Sequence, residues 1–352
     1  MNFLQAQLKG RDYTEAEIDS FIKIMLKSYE DAAKDIIKEI EKFYGKYLSL
    51  VAGKGDPADI YNIIIQSDRL NKLLEAVQKI YSAYYKQATG KIIDISSLAM
   101  SNMYYRQQYI LSWFVPAGIN MSFVFLDPRL VEVAVLGTTD LWKKISKTFD
   151  RYGPLKNFLP QYGSLKDLLY TNKIQNLAKV QQTITQGFIQ GYSNKVMANN
   201  IQGIMNNFSY QAERIARTES ARTADIGARM ATLDAEAQGV DIKRQWYATR
   251  DGKTRDAHIT LDGQRVKPDE PFVYAGMESM GIGQWPEIGL NANCRCAILD
   301  IVNDEEPQLM RARKNPTDPE DKENVVMEFK SYNKWAEENG LVKDKNGMMI
   351  EG

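Results

Sequence analysis

Ile226-Gly227-Ala228-Arg229-Met230-Ala231-Thr232-Leu233-Asp234-Ala235-Glu236-Ala237-Gln238-Gly239-Val240-Asp241-Ile242-Lys243-Arg244-Gln245-Trp246-Tyr247-Ala248 is the stretch that decides the fold. Before Gly239, the apolar residues Ile226, Met230 and Leu233 recur at three and four residues, the spacing of one helix face. From Ile242 onward every second residue can face a core, the period of a strand. Gly239 stands between the two, and glycine readily takes the left-handed conformation that ends helices. A long helix therefore hands over to a β unit. The expected fold class is α+β: mostly long helices with a small C-terminal antiparallel β unit.

Helical spacing extends far upstream. Thr14 and Glu17 form a Thr-x-x-Glu capping pattern. Ile18, Phe21, Ile22, Met25, Tyr29, Ala33, Ile36, Ile40, Phe43 and Tyr47 then mark one long amphipathic helix, closed by Gly53 and Gly55. Asp56-Pro57 opens a second helix, with Ile60, Ile63, Ile64, Leu70, Leu73, Leu74, Val77, Ile80 and Tyr84 on its buried side, and Asp127-Pro128 opens a third. Gly153, Pro154, Pro160 and Gly163 punctuate a loop. Residues 165–238 read as helical again, broken at Gly191-Tyr192-Ser193, where Ser193 caps the next helix. A further break is expected near Asn207, with Ser209 capping the last long helix. The dense tyrosines between Tyr29 and Tyr109 belong either to the core or to a partner surface.

Downstream of Ala248, Asp251-Gly252 and Asp262-Gly263 are turn dipeptides, and residues 272–274 and 294–302 are strand candidates. After Val302 the composition shifts to an exposed linker containing Arg311 and the Asn315-Pro316 run. A short amphipathic element with Phe329, Tyr332, Trp335 and Leu341 follows. The division by sequence is 1–164, 165–303 and 304–352.

Hydrophobic residues make up 44% of the chain, enough for a real core. Lys+Arg and Asp+Glu balance at 45 each, so whole-chain attraction to DNA is not implied. Met1 leads into polar sequence rather than a signal peptide. The apolar segment 109–126 is interrupted by Pro116, Gly118 and Asn120. It reads as short strands or helix ends around a turn, so no membrane span is expected. Two cysteines in a long chain make no disulfide framework.

The chemistry concentrates in one place. His258, the chain's one histidine, and Cys294 and Cys296, its two cysteines, fall within one short stretch. These are the residue types that bind zinc best. On a strand, Cys294 and Cys296 would face the same side with Cα atoms about 6.5–7 Å apart, at the edge of disulfide reach. Antiparallel pairing could bring His258 near. One structural zinc is a candidate cofactor, with Asp251, Asp256 or Asp262 as candidate fourth ligand, Asp256 being nearest His258 in sequence. The alternative is that the cysteines are small buried hydrophobes and His258 bonds to the backbone. No nucleophile elbow, His-Glu-x-x-His or phosphate loop is present, so no catalytic residue is named.

Several motifs, in order, resemble a known family. Gly187-Phe188-Ile189-Gln190-Gly191-Tyr192-Ser193 is similar to its Gly-x-x-x-Gly-x-Ser turn. Ile215-Ala216-Arg217-Thr218-Glu219 resembles its helical signature. Trp246-Tyr247-Ala248-Thr249-Arg250-Asp251, Thr254-Arg255-Asp256-Ala257-His258, Leu261-Asp262-Gly263 and Asn293-Cys294-Arg295-Cys296 complete the series. The series resembles the phage Mu F-like head morphogenesis family, the minor head proteins of tailed phages, over roughly residues 165–302. The resemblance implies a structural, non-enzymatic virion protein at the portal vertex of the head, made in the host bacterial cytoplasm. Its implied partners are the portal protein, capsid or scaffold proteins and packaged DNA, with an effect on head assembly, DNA packaging or ejection. Some members carry an added C-terminal enzyme module; about fifty residues follow the motif block here, too few for one. Arg217 and Glu219 match signature positions and are expected to brace the β unit; Trp246 and Asp251 are further structural positions of the same motif series. Arg214, Arg222 and Arg229 lie on the same helix as Glu213, Glu219 and Asp225. They form ion pairs there or, on a second reading, contact DNA phosphates. The competing functional class is a metal-dependent hydrolase acting on nucleic acid or cell wall.

Overall fold

Helix α1 (Phe3–Val51) starts well before the Thr14–Glu17 pattern that the sequence offers as its cap. Thr14 is interior, and its hydroxyl bonds back to the Gly10 carbonyl at 3.1 Å. Thr14 and Glu17 instead hold the next helix: Arg106 donates to the Thr14 hydroxyl and, at 2.8 Å, to Glu17, which also accepts from Asn102 at 2.7 Å. A local capping signal is here a clasp between helices.

In this computed structural model the described residues are 3–51, 68–114, 121–159 and 164–302, with backbone strands at 309–313, 324–328, 341–343 and 349–351. The Gly53–Gly55 break, the Asp56-Pro57 helix start, Pro116, Gly118, Asn120, Pro160, Gly163, Asn315-Pro316 and the Phe329, Tyr332 and Trp335 element lie outside them. Helix α2 spans Arg69–Phe114. Among the described residues no helix is long and apolar enough to cross a membrane.

Helix α3 (Pro128–Leu136) begins as its sequence dictates: the Asp127 carboxylate accepts the Arg129 N–H at 2.8 Å, and Pro128 takes the first helical position. Helix α4 (Thr139–Ile145) and two short 3-10 turns follow. Helix α5 (Leu165–Ile189) ends in the Gly191 turn, where the Tyr192 N–H returns to the Gly187 carbonyl at 2.8 Å. The Ser193 hydroxyl accepts the Val196 N–H at 3.4 Å and caps helix α6 (Asn194–Glu236). The break expected at Asn207, with Ser209 as a cap, does not occur; α6 runs through both. Phe208 explains the difference. It is buried edge-to-face against Tyr81, with ring centroids 6.2 Å apart, and tertiary packing overrides the local preference of the polar residues beside it.

The chain forms two compact units, each from discontinuous stretches. One contains 19–95 and 165–216 and is a helical bundle. Tyrosines knit it together: Tyr84 donates to Asp35 at 2.7 Å, Tyr85 to the Leu169 carbonyl at 2.7 Å and Tyr44 to the Tyr192 carbonyl at 2.6 Å. Tyr29, Tyr81 and Tyr85 are buried here, and Tyr104 is buried in the other unit, which favours the core reading; Tyr109 is exposed.

The other unit gathers 1–18, 96–164 and 217–352. Its three-stranded antiparallel sheet has the order β2-β1-β5, from β1 (Ile242–Tyr247), β2 (Arg265–Val266) and β5 (Ala297–Val302). Arg244 pairs across to Asp300 and Trp246 to Ile298. The sheet is buried on both faces rather than one. On one face Arg244 and Asp300 meet α6 through Asp225 and Thr232; on the other Tyr247, Ala297 and Leu299 pack on Leu8 of α1. Strands β3 (Phe272–Tyr274) and β4 (Met277–Ser279) form a separate hairpin. Past Val302, the linker expectation is corrected at Arg311, which lies in β6 (Leu309–Arg313), paired with β7 (Asn324–Glu328). Strands β8 (Leu341–Lys343) and β9 (Met349–Glu351) pair likewise, so Leu341 is in a strand.

Helices α2 and α6 approach so closely at Gly227 that a Cβ there would overlap the Met100 carbonyl oxygen. Gly203, in the same helix, has open space around it. Gly227→Ala is therefore expected to destabilise by about 1–3 kcal/mol, and Gly203→Ala to stabilise by up to about 1 kcal/mol. Thermal melts of the two variants check the opposite signs; two shifts of the same sign would contradict the close crossing.

Candidate functional site

Trp246, fully buried on β1, is the centre of a small aromatic core. The rings of Phe272, His258 and Trp285 stand edge-on to it at 5.3, 5.6 and 5.9 Å. Leu261, Ala257, Ile282, Leu290, Ile298 and Cys296 close the cluster. His258 is not delivered by strand pairing, as the sequence suggested. It sits on the short helix α7 (Asp256–Leu261), whose Ala257 and Leu261 are buried beside it.

The cysteines arrive by a different route. Helix α8 (Ile288–Asn291) ends at Asn291, whose side chain accepts the Trp285 N–H at 2.9 Å and donates to the Trp285 carbonyl at 2.7 Å. Asn293 then adopts a left-handed φ of 52°, which asparagine tolerates better than most residues. Cys294 and Cys296 precede β5 rather than lying in it, so the same-face strand geometry expected from sequence does not apply. They still meet the imidazole. Nδ1 of His258 lies 3.5 Å from Sγ of Cys294 and 3.3 Å from Sγ of Cys296, and the three ligating atoms are all within 4.8 Å of one another. The other ring nitrogen, Nε2, is buried with no hydrogen-bond partner among the described residues. A hydrogen bond from Cys296, working against burial, holds the Cys294 thiol below its usual range. The same bond, with burial, pushes Cys296 well up.

Two of the carboxylates proposed as fourth ligands, Asp251 and Asp262, do other work. Asp251 grips Arg295, the residue between the cysteines, with both oxygens, one at 2.7 Å, and accepts the Lys253 N–H at 2.9 Å. Burial alone would raise the Asp251 pKa. The Arg295 bonds, the Lys253 N–H and the Thr254 hydroxyl outweigh it and bring it down to about 2. The Thr249 hydroxyl donates to the Arg295 carbonyl at 2.7 Å, a second tie on the same residue. Asp262 accepts the Ala248 N–H at 2.9 Å and the Arg250 guanidinium at 2.5 Å. Asp256 is exposed at the start of α7 and is not brought to the cluster. Trp246 thus packs at the centre of the unit's core and Asp251 ties the segment between the cysteines to the turn after β1.

The arginines on α6 divide. Arg222 and Arg229 are 0% and 1% exposed, so neither can reach a phosphate. Arg222 pairs with Glu219 at 2.8 Å and donates to the carbonyls of Phe158 and Ala134. Arg229 donates to the Asn157 carbonyl at 3.2 Å, and burial, with Arg244 nearby, lowers its pKa to about 9. Arg214 and Arg217 are exposed. Glu219 therefore steadies Arg222 and the segment around Phe158. The helix reaches the β unit through Thr218, which accepts the Asn293 N–H at 3.2 Å, and through Asp225.

Asp225 was missed as a key residue by sequence reasoning. It accepts two bonds from Arg244 at 3.1 Å and one from the Ile282 N–H at 3.3 Å, with Arg11 at 3.9 Å. Gly281 has no room for a side chain because a Cβ would overlap the Asp225 carboxylate. One signal was available: Arg244 alternates with Ile242 and Trp246 on the core face of β1, so a buried partner was required. Asp300, Gln7 and Gln107 were also missed. Gln7 bonds the Asp300 backbone on both sides at 3.0 and 2.9 Å, and Gln107 donates to its carboxylate at 2.6 Å.

Residues 178–299 match the family described as "Phage Mu protein F like protein". The chain is 23% identical to the minor head protein GP7 of Bacillus phage SPP1 over 94% of this chain and 97% of that one. It is 33% identical to the NAD(+)–arginine ADP-ribosyltransferase EFV of Enterococcus faecalis over 49% of this chain but 34% of that protein. An uncharacterized Haemophilus influenzae protein is 28% identical over 40% of this chain and 28% of its own length. No solved structure matches the chain. The resemblance read from the motifs is borne out, and the match covers the motifs from the Gly187 turn to the two cysteines.

Because the folded pKa of Asp251 lies below its ordinary 3.8, its contribution to stability is present above that value and is lost as pH falls towards about 2. Asp251→Asn is expected to lower the melting temperature at neutral pH and to flatten the stability loss across that acid window. An unchanged melting temperature and an unchanged acid profile would contradict the Asp251–Arg295 clasp.

Proposed function

We propose that this protein is a structural minor protein of a tailed-phage head, placed in the virion at the portal vertex. Its partners are then the portal protein and capsid or scaffold proteins, and it acts in head assembly, DNA packaging or ejection after synthesis in the host cytoplasm. The observation that carries the reading is the length of the likeness to GP7, which extends over nearly the whole of both chains and so includes the helices as well as the motif block. The likeness to the ADP-ribosyltransferase covers about a third of that protein and supports a shared module rather than a shared reaction.

The geometry agrees with a structural part. His258, only 2% exposed, and Cys296 are enclosed by the Trp246 core, with Cys294 half-buried at its edge. The motif carboxylates Asp251 and Asp262 are both engaged by arginines. Contact with packaged DNA would fall to surface residues such as Arg214 rather than to Arg222 and Arg229. With formal charges balanced, such contact would be local.

Quantitative mass spectrometry of heads purified from the phage or induced prophage that encodes this chain tests the proposal. The protein is expected in DNA-filled heads in far fewer copies than the major capsid protein, and to co-purify with the portal protein when the two are co-expressed. Heads that lack it at every stage of assembly would overturn the reading.

A further inference from the structure

The buried imidazole of His258, the buried thiol of Cys296 and the half-buried thiol of Cys294 call for an account that neither packing nor the proposed role in the head supplies. Three ligands for a borderline-soft cation, one imidazole and two thiols, converge from two elements, α7 and the 294–296 segment, that share no backbone hydrogen-bond ladder. The separations are those of a coordination shell. In a tetrahedral zinc site, Zn–N and Zn–S bonds of roughly 2.0 and 2.3 Å set N···S edges of about 3.5 Å. The two N···S separations here are 3.5 and 3.3 Å. A single ring nitrogen, Nδ1, faces both sulfurs, so neither thiol needs another partner to complete the triangle.

We propose that His258 Nδ1, Cys294 Sγ and Cys296 Sγ bind one zinc ion, which staples α7 to the segment leading into β5. The chain has no further histidine or cysteine. The fourth ligand is therefore an oxygen, from water or a carboxylate, and Asp256, Asp251 and Asp262 are not it in the arrangement seen. Binding releases the protons still on the two thiols to solvent and leaves both as thiolates, so affinity falls as pH falls. The ion's role is mechanical. The β unit has a small core of its own, and a metal crosslink between two short elements supplies what that core lacks. The Asp251–Arg295 clasp and the Thr249 bond to the Arg295 carbonyl would then act as outer supports that set the angle of the two sulfurs.

The test uses the full chain, expressed with zinc in the medium and purified under reducing conditions without chelator. Elemental analysis is expected to find close to a single zinc per chain. Cys294→Ser, Cys296→Ser and His258→Gln should each lose most of it, while Asp256→Asn keeps it. Chelation should lower the melting temperature of the wild type. Since a ligand variant could fail to fold, cobalt(II) added to the chelated wild-type protein gives an independent reading. Thiolate-to-cobalt charge-transfer absorption with the visible bands of a tetrahedral ion is expected. Folded wild-type protein with no bound metal and no such cobalt spectrum would overturn the proposal. So would zinc retained in all three ligand variants, or a Cys294–Cys296 disulfide in the freshly purified protein. None of these outcomes bears on whether the protein is found in heads, so the two proposals fail separately.

Discussion

A single carboxylate inside helix α6 holds the second unit together. Asp225 lies fully buried where α6, β1, the loop at Ile282 and the first turns of α1 converge, and it answers the charge of Arg244 and, at longer range, Arg11. Removing one member of such a buried pair costs about 3–5 kcal/mol because the other charge is left unanswered in a poorly polarisable interior. Burial already lowers the pKa of Arg11, with Asp225 the largest opposing influence, so the cation depends on this partner. The steric demand at Gly281 follows from the same carboxylate.

From that point the sheet is completed by parts of the chain far away in sequence. Strand β5 is the outer strand of the order β2-β1-β5, and an open edge is a liability in water. Gln7 pairs with the Asp300 N–H and carbonyl as a neighbouring strand would, and Arg11 donates to the Ile298 carbonyl at 2.5 Å. Gln107 and Thr232 hold the Asp300 side chain at 2.6 Å each. Thus α1, α2 and α6 each bond to one residue of β5, Asp300. The motif block is one continuous stretch of sequence, but the structure it belongs to needs the chain's first turns.

Much of this was legible from the sequence. The change of period after Gly239 placed the helix end and β1 correctly, because both signals depend on local geometry. The Asp127-Pro128 start and the Ser193 cap were legible for the same reason. The Thr14–Glu17 and Ser209 signals misled because the side chains that could cap a helix were used, or overruled, by tertiary contacts: Arg106 took the first pair and Phe208 carried α6 past the second. The meeting of His258 with the cysteines was legible as composition, but its route was not, since a six-residue helix leaves little periodic trace. Nor could the sequence show that Arg222 and Arg229 face inward. A helix with arginines among acids looks like a solvated face until the carbonyls of Phe158, Ala134 and Asn157 are placed against it.

A structural head protein is well served by a module closed by buried ion pairs and by its own N-terminal helix. The claim on which this rests is that α1 seals β5, and hydrogen–deuterium exchange tests it most directly. In the full chain carrying Gln7→Ala and Arg11→Ala, the amides of Ile298–Asp300 should lose protection relative to wild type, while the helical bundle formed by 19–95 and 165–216 keeps its own. Unchanged protection of those β5 amides would contradict the account.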